Sequence, residues 1–300
     1  MGSASENLRG ALFMVAAMAA FALEDMFLKS AAWEVPVGQI LMLFGTGGTL
    51  GFLILARIRG ERVFTRALLS RGIALRAALE STARLCYTLA IALTPLSSAS
   101  AILQATPLVV VAGAALLLGE RVAWSRWLAI LAGFGGVLMI LRPGPGSFEA
   151  ASLFAVFGML GFAGRDLTTR VMPRGLSNAT LGFCGFVVLI PTGALFLAAT
   201  GGAVWPSASS WAALAAGTLF GIVAYAALTA AMRTGEVSVV TPFRYSRLLF
   251  GVTLGVLVFG ERPDTATLLG SAVILGSGLF IMLGRRKTAP VQRASGGRSA

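Results

Sequence analysis

The sequence predicts an all-α integral membrane protein with ten transmembrane helices, arranged as two inverted five-helix repeats. Three observations lead to this fold class: the composition, the lengths of the apolar runs and an internal repeat. Of the 300 residues, 57% are hydrophobic and only 12% are charged, with a mean hydropathy of +0.85. About a quarter of the residues in soluble proteins are charged. A soluble protein is excluded, because no soluble fold could cover so much apolar surface.

The apolar residues fall into runs that match the thickness of a membrane. A helix that crosses the hydrocarbon core needs about 20 mainly apolar residues. Ten such runs lie near residues 9–30, 36–56, 72–93, 97–118, 124–141, 150–171, 177–200, 210–232, 237–259 and 265–284. The first run reaches full membrane width without a basic leader or a clear cleavage site, so we expect a retained helix. Residues 285–300 are predicted to form a disordered basic tail in the cytoplasm.

The basic residues predict how these spans are oriented. If both termini are cytoplasmic, 16 of the 24 Lys and Arg residues lie in cytoplasmic segments, three lie in outer segments and five lie within the spans. The positive-inside rule then places both termini in the cytoplasm and the protein in the cytoplasmic membrane. The net charge of +12 is therefore a topology signal, with attraction to anionic membrane lipid as a second effect. Nucleic acid is not expected as a partner.

An internal repeat divides the chain near its middle. Residues 11–30 align with residues 152–171 at an offset of 141, with seven identical pairs. The triplet Gly-Glu-Arg at residues 119–121 recurs at residues 260–262 with the same offset. Two distant segments that share one ungapped offset indicate a duplicated module and not a chance likeness of composition.

The odd number of spans in each repeat requires an inverted arrangement. We predict a first repeat over residues 1–143 and a second over residues 144–284, each with five spans. After five crossings the second repeat begins on the opposite side of the membrane. Inverted repeats are typical of secondary transporters, whose substrate site lies near the midplane where the halves meet. A duplication that was kept only for packing is the alternative.

These features resemble a known family. Ten spans in two halves, with a Gly-Glu-Arg turn after the fourth span of each half, resemble the EamA-type branch of the drug/metabolite transporter superfamily over roughly residues 8–284. Residues 241–246, with the sequence Thr-Pro-Phe-Arg-Tyr-Ser, resemble members that move amino acids and related metabolites. In one departure, the counterpart of Pro107 is Leu248, and the second half has Pro242 instead. We therefore expect helix bending to differ between the halves.

The resemblance implies a secondary transporter and not an enzyme. It implies export of small metabolites by alternating access, with aromatic or other neutral amino acids as the expected substrates. Another metabolite or a drug-like compound is the alternative, and no cofactor is expected. The sequence has no ATP-binding loop of the Walker type, so movement must follow a gradient of the substrate or of a coupled ion.

Two other classes of protein remain as alternatives, a channel and an intramembrane enzyme. An enzyme would need a nucleophile beside a base, or a metal site. The sequence contains no His and only two Cys, which argues against both, and no metal site is expected. Cys86 and Cys184 lie in apolar stretches, where packing is their expected role.

Polar residues on the third predicted span indicate a candidate site. A charged side chain at the centre of the bilayer costs about 2.5–3.5 kcal/mol, so each is expected to face a partner or a wet cavity. Arg76, Glu80, Arg84 and Tyr87 lie within an arc of about 80° when residues are placed about 100° apart. This stripe forms either the wall of a cavity or an intrahelical ladder of charges that satisfies itself.

Two further pairs are predicted on the first and sixth spans. Asp25 and Lys29 are four residues apart, and Asp166 and Arg170 repeat that spacing in the second half. Residues at this spacing are neighbours on a helix, so we expect each pair to neutralise itself. The inverted repeat would put the two aspartates on opposite sides of the midplane. They are therefore candidates for gating or coupling, with simple packing as the alternative.

The ninth span and its neighbours complete the predicted cavity lining. Arg244, Tyr245 and Arg247 share one side of that span, and we expect Gln104 and Tyr225 to face the same cavity. The deep charges are the arginines at 76, 84, 165, 244 and 247 and the carboxylates at 24, 25, 80 and 166. The resulting balance of +1 favours a substrate that carries a carboxylate, which an arginine can hold through two hydrogen bonds.

The remaining motifs are interpreted as structural. The glycine of each Gly-Glu-Arg turn is expected to end a helix in the left-handed conformation, with the charged pair at the membrane interface. Small residues at spacings such as Ala132 to Gly136 and Gly270 to Gly278 predict close contacts between helices.

Overall fold

The computed structural model describes residues 4–61, 63–64, 68, 70–119, 122–142, 149–171, 177–234 and 240–283. Within these ranges all regular secondary structure is helical, and no β-strand is present. A 3-10 helix covers Thr241–Tyr245. The α-helices are α1 (Ala4–Ala31), α2 (Val37–Ile58), α3 (Arg71–Leu93), α4 (Leu96–Leu103), α5 (Thr106–Leu118), α6 (Trp124–Leu141), α7 (Ser152–Val171), α8 (Asn178–Val187), α9 (Leu189–Thr200), α10 (Ala208–Thr234), α11 (Ser246–Phe259) and α12 (Thr265–Leu283). The predicted tail at residues 285–300 lies outside the described residues.

Most of the predicted spans correspond to apolar helices. In the part of the chain that is described, six helical segments are long and apolar enough to cross a membrane, and a shorter apolar helix covers Thr265–Ile281. The other three predicted spans coincide with α3, α7 and α11. Helices α3 and α7 carry five of the deep charges between them, and α11 is only 14 residues long. A multi-span helical membrane fold is confirmed, whereas the number of ten spans stays a prediction.

Three predicted spans are interrupted, and two of the interruptions are related by the repeat. The predicted fourth span is divided at Gln104 and Ala105, just before Pro107 in the first turn of α5, where proline lacks the N–H that a preceding turn of helix would use. The predicted seventh span is divided at Val188. In the described part of the predicted ninth span, the 3-10 helix that ends at Tyr245 precedes α11. Because Tyr245 lies 141 residues after Gln104, the halves differ in the kind of break but not in its position.

Counterpart helices of the two halves run in opposite directions. Helices α1 and α3 finish at the same end of the bundle, where the Nζ of Lys29 donates to a carbonyl oxygen in the last turn of α3. Helix α7, the counterpart of α1, packs antiparallel to α3, because Gly158 lies against Tyr87 and Gly164 lies against Leu79. Helices α1 and α7 are therefore opposed, which is the relation that an inverted repeat requires.

Close packing joins the last helices of the two halves. A Cβ added to Gly136 of α6 would lie 2.7 Å from the carbonyl oxygen of Gly270 of α12, and a Cβ added to Gly270 would lie 2.6 Å from that of Gly136. The two backbones approach as closely as only glycine allows, so the contact predicted from small residues is confirmed at this pair. Gly119 and Gly260 end α5 and α11 with φ of +68° and +65°, as predicted.

Candidate functional site

A cavity of about 880 Å³ lies between the two halves, within the size range of sites for small molecules. Helices α1 to α5 and α7 to α11 contribute residues to its wall. The predicted residues that line it are Arg76, Glu80, Arg84, Gln104, Asp166, Tyr225, Arg244, Tyr245 and Arg247. Tyr87 and Asp25 are not among the lining residues of the cavity. They lie directly behind Arg247 and hold it in place.

Asp25 is the centre of a buried polar cluster that joins the two halves. The Nη2 of Arg247 donates to the Oδ2 of Asp25 over 2.6 Å, and the hydroxyl of Tyr87 donates to the same oxygen over 3.1 Å. The guanidinium of Arg247 also lies over the rings of Phe21 and Tyr87, 4.9 and 5.7 Å from their centroids. The prediction that Asp25 pairs with Lys29 is wrong, because Asp25 binds Arg247 of another helix and Lys29 contacts the end of α3 and Glu261.

A second cluster joins α3 to α7. Arg165 donates to Glu80 over 3.1 Å and to Asp166 over 2.8 Å. Arg76 lies 3.7 Å from Glu80 and donates to Thr169 over 3.1 Å. The intrahelical ladder on α3 therefore exists as far as Glu80, but its main partner comes from the other half. Asp166 binds the neighbouring arginine, and the side chain of Arg170, its predicted partner, lies outside the described residues.

The third ion pair lies within the first half. Arg84 pairs with Glu24, whose side chain is fully buried, and the guanidinium of Arg84 lies 4.7 Å from the centroid of the Phe44 ring. The sequence identifies Glu24 and Arg165 as deep charges, but neither is among the site residues predicted from it. The signal was present, because the two are counterparts at the offset of 141 with opposite charges. Each one binds a residue of the stripe on α3.

Arg244 differs from the other arginines of the cavity. It lies in the 3-10 helix, lines the cavity and is half-buried. Among the described residues, no carboxylate oxygen lies within 4.0 Å of its guanidinium. Its backbone carbonyl accepts a hydrogen bond of 3.2 Å from the side-chain amide of Gln104, so the two interrupted spans are connected at this point.

The cavity also has apolar walls that sequence reasoning did not assign to it. Rings of Phe21, Phe44, Phe162 and Phe186 line it beside Tyr225. No sequence pattern separates these rings from the many phenylalanines that face lipid, because both kinds occur on apolar helices. In the described ranges no group of three His, Cys, Asp or Glu residues could hold a metal ion. Cys86 and Cys184 are free thiols.

One end of the bundle is closed by contacts between the halves. We call it the closed end, and it is the end where α1, α3, α9 and α11 finish. Lys29 donates to the carbonyl oxygens of Ile91 over 2.9 Å and of Thr94 over 2.6 Å, and it lies 3.7 Å from Glu261. Glu261 in turn accepts the backbone N–H groups of Leu96 and Ser97 over 2.6 and 2.9 Å. We call this group the Lys29–Glu261 clasp. Glu261 belongs to the second Gly-Glu-Arg turn, so that turn does more than end a helix.

Two loops add to the closed end at its surface. The side-chain amide of Gln39 donates to the carbonyl of Val204 over 2.6 Å, and the N–H of Val204 donates back to it over 3.0 Å. Glu34 accepts hydrogen bonds from the backbone and side chain of Ser207, over 2.9 and 2.6 Å, and from the hydroxyl of Ser210. The side-chain hydrogen bonds from Ser207 and Ser210, and then that from the Ser207 backbone, lower the pKa of Glu34.

A family profile and several named relatives of this chain all describe transporters. The sequence profile of the EamA-like transporter family matches residues 8–142 and 150–283. The riboflavin transporter of Rhizobium johnstonii is 34% identical over 64% of this chain and 63% of its own length, so this chain spans less than two thirds of that relative. The pseudopaline exporter CntI of Pseudomonas aeruginosa is 28% identical over 89% of this chain and 93% of its own.

Two further similarities bear on substrate and fold. The S-adenosylmethionine uptake transporter of Rickettsia conorii is 25% identical over 67% of this chain and 68% of its own length. A solved structure described only as "Crystal structure of protein" superimposes with a TM-score of 0.64 at 22% identity, over 92% of this chain and 98% of its own, which supports the fold alone. The relatives found are named for riboflavin, pseudopaline and S-adenosylmethionine. The expected likeness to the aromatic amino-acid exporter YddG, and with it amino-acid export, is not supported by these names.

Proposed function

The chain belongs to the EamA-like transporter family, and on that premise we propose that it is a secondary transporter which exports a small amphipathic metabolite by alternating access. Membership makes the chain a multi-span membrane protein that handles small molecules. The finer parts of the proposal are the direction, the substrate, the ten spans in repeats 1–143 and 144–284, and the cytoplasmic membrane with both termini inside. Membrane lipid is the expected surrounding, and no cofactor or nucleic acid takes part.

The observation that carries the proposal is the cavity with its ion pairs across the halves. Arg247 of the second half binds Asp25 of the first, and Arg165 of the second half binds Glu80 of the first. A relative movement of the halves must rearrange both pairs in the cavity wall. Alternating access in inverted-repeat carriers is such a movement around a fixed central site.

The closed end supports the same mechanism. The positive-inside pattern assigns this end to the outer face of the membrane. The cavity wall includes Arg76 near the start of α3 and Thr169 near the end of α7. These parts of the two helices are far from the closed end, so in the proposed topology they lie toward the cytoplasm. For the proposed exporter, this arrangement is the state that loads substrate from the cytoplasm, and opening of the Lys29–Glu261 clasp is the step that releases substrate outward.

The substrate panel follows from the cavity wall. Arginines provide for a carboxylate, and the rings of Phe162 and Phe186 provide for a flat or apolar body. Aromatic and neutral amino acids satisfy both conditions and come first. Riboflavin is the second candidate, because a riboflavin transporter is 34% identical to this chain and the isoalloxazine ring is flat. Pseudopaline and S-adenosylmethionine complete the panel.

Asp25 and Asp166 are the proposed gating or coupling residues. Each carboxylate is bound to an arginine at the cavity, at 2.6 and 2.8 Å respectively. Separation of either carboxylate from its arginine would break an ion pair at the cavity, so these two residues are suited to control movement of the halves. An imposed pH gradient in the transport assay distinguishes coupled from facilitated transport.

The test is transport by purified protein in liposomes. Each panel compound is measured for uptake, for counterflow and for dependence on a pH gradient, with Gly185→Phe as the control. Gly185 lines the cavity, and nothing lies nearer to an added Cβ there than 3.9 Å, so a larger side chain is expected to fill the cavity without disturbing the packing. A carrier saturates and shows counterflow that the control loses. Conduction without counterflow would indicate a channel, and a chemically changed compound would indicate an enzyme.

A further inference from the structure

The charge surplus of the cavity is located at one residue. Four of the five arginines within the spans are bound to carboxylates of the protein itself: Arg76, Arg84, Arg165 and Arg247. In the ranges that the structure covers, Arg244 is the remaining one, and no carboxylate lies within the 4.0 Å of an ion pair. A charge at membrane depth requires a counter-ion or a wet cavity. Arg244 has the cavity, and no described residue supplies its counter-ion.

The segment that carries Arg244 is held in place from two sides. Gln104 donates to the carbonyl of Arg244 over 3.2 Å. The next residue, Tyr245, is packed so tightly against α12 that a Cβ on Gly278 would collide with its ring and hydroxyl. Among the described residues that hydroxyl has no hydrogen-bond partner. A 3-10 helix fixed at both points presents the guanidinium from a rigid support, which lowers the cost of ordering it when a ligand binds.

We propose that Arg244 binds an anionic group of the substrate, a carboxylate or a phosphate, and that this group is the missing counter-ion. The inference rests on the proposed transport function and assigns the chemical class of its substrate. A guanidinium holds either anion through two parallel hydrogen bonds. The body of the substrate then extends toward the phenylalanine rings of the same cavity.

The other arginines are poor candidates for this role. A substrate that used Arg247 would have to displace Asp25, which would remain buried without its partner. Leaving a buried charge unpaired is strongly unfavourable. Arg165 is shared between Glu80 and Asp166, so a substrate that used Arg165 would likewise have to displace a carboxylate of the protein. Binding at Arg244 breaks no ion pair of the described residues.

The first test measures binding of simple probes to purified protein by thermal shift at constant ionic strength. Benzoate is a phenyl ring with a carboxylate, and phenyl phosphate is a phenyl ring with a phosphate. Benzamide has nearly the same shape as benzoate but no charge. We expect benzoate or phenyl phosphate, but not benzamide, to stabilise the protein. Arg244→Gln should weaken that binding roughly 10- to 100-fold, as the loss of a charge-assisted pair implies. Arg244→Lys should recover part of it, since lysine keeps the charge but not the fork.

The matched control is Arg59→Gln, which removes the same charge from an exposed position at the end of α2. It should bind both probes as the native protein does. Equal binding of benzamide and benzoate, or equal anion binding by native protein and Arg244→Gln, would overturn the proposal. The relative effects of benzoate and phenyl phosphate decide between the two anions.

Transport separates this proposal from the function on which it rests. For a transported acid, Arg244→Gln should raise the apparent KM about 10- to 100-fold, while the amide or ester of that acid is moved equally by both proteins. An equal loss for the acid and its neutral derivative would contradict the role of Arg244. If native protein moves no panel compound, the transport proposal fails, and the thermal-shift result still decides whether Arg244 is an anion site.

Discussion

Replacement of Glu261 by Gln should open the closed end. Glu261 accepts two backbone N–H groups at the start of α4, over 2.6 and 2.9 Å, and lies 3.7 Å from Lys29. Glutamine has nearly the same shape but only one oxygen and no charge. Glu261→Gln therefore loses one of the two backbone hydrogen bonds, weakens the other and leaves Lys29 without its carboxylate.

The size of the effect follows from these contacts. A hydrogen bond to a charged group contributes about 1.5–3 kcal/mol, so the substitution should remove about 2–3 kcal/mol from the clasp. If these contacts exist only while the closed end is closed, the whole loss appears in the equilibrium between the two states. At about 1.4 kcal/mol per tenfold change, the outward-open population should rise roughly 30- to 150-fold.

Thiol accessibility measures this population. In a background with Cys86→Ser and Cys184→Ala, Thr106→Cys puts a single thiol in the cavity wall. Its rate of labelling by a membrane-impermeant maleimide from the outer face should rise by the same factor in Glu261→Gln. Asp264→Asn is the matched control, because its ion pair with Arg142 is half-exposed and such pairs contribute about 0–1 kcal/mol.

An unchanged rate in a well-folded Glu261→Gln protein would refute the clasp, and so would an equal increase in the control. The counterpart of Glu261 in the first repeat provides a second test, in which the labelling rate should change in the opposite direction. Glu120 precedes Glu261 by 141 residues and lies outside the described residues. From the sequence offset and the inverted arrangement alone, we predict that Glu120→Gln changes the labelling rate in the opposite direction.

Three further predictions concern packing, pH and the central ion pair. Gly136→Ala should cost about 1–3 kcal/mol and lower the melting temperature, because an added Cβ meets the backbone of α12, whereas Gly135→Ala, with open space at its Cβ, should not. The pKa of Glu34 is lowered below its ordinary 4.5, so its contribution to the closed end is present above pH 4.5 and is lost as the pH falls through the lower folded value. Tryptophan fluorescence of the native protein should report that acid transition, and Glu34→Gln should lack it. Arg247→Ala should cost about 3–5 kcal/mol by leaving Asp25 unpaired. Adding Asp25→Ala should restore part of that stability in a denaturation assay but no transport, and full recovery of transport would contradict the role of this pair.

Hydropathy was sufficient to predict a multi-span helical membrane fold. The predicted run at 72–93 became α3 at Arg71–Leu93, and the run at 124–141 became α6 with the same bounds. These predictions succeeded because burial of backbone polar groups in lipid leaves a helix as the only stable structure for such a segment. The break at Gln104 was not predicted, since it depends on how Pro107 meets its neighbours and not on the composition of the run.

The ion pairs show where sequence reasoning ends. Spacing along one helix predicted that Asp25 pairs with Lys29, yet Asp25 binds Arg247 and Lys29 lies beside Glu261. A pattern within one helix identifies which residues share a side of it but not which residues a neighbouring helix brings there. The cavity residues could be predicted because a charged side chain at membrane depth needs a partner or a wet cavity. Their partners could not be predicted, because they depend on how the two halves pack together.

Alternating access requires that the two inverted halves move around one cavity, so that its two ends open in turn. Distances between spin labels test it directly, with one pair across the closed end at Trp33→Cys and Ala203→Cys and another across the opposite end at Arg59→Cys and Thr234→Cys, compared with and without Glu261→Gln. The substitution is expected to lengthen the first distance and shorten the second by several ångströms. Two distances that both stay fixed, or that lengthen together, would contradict it.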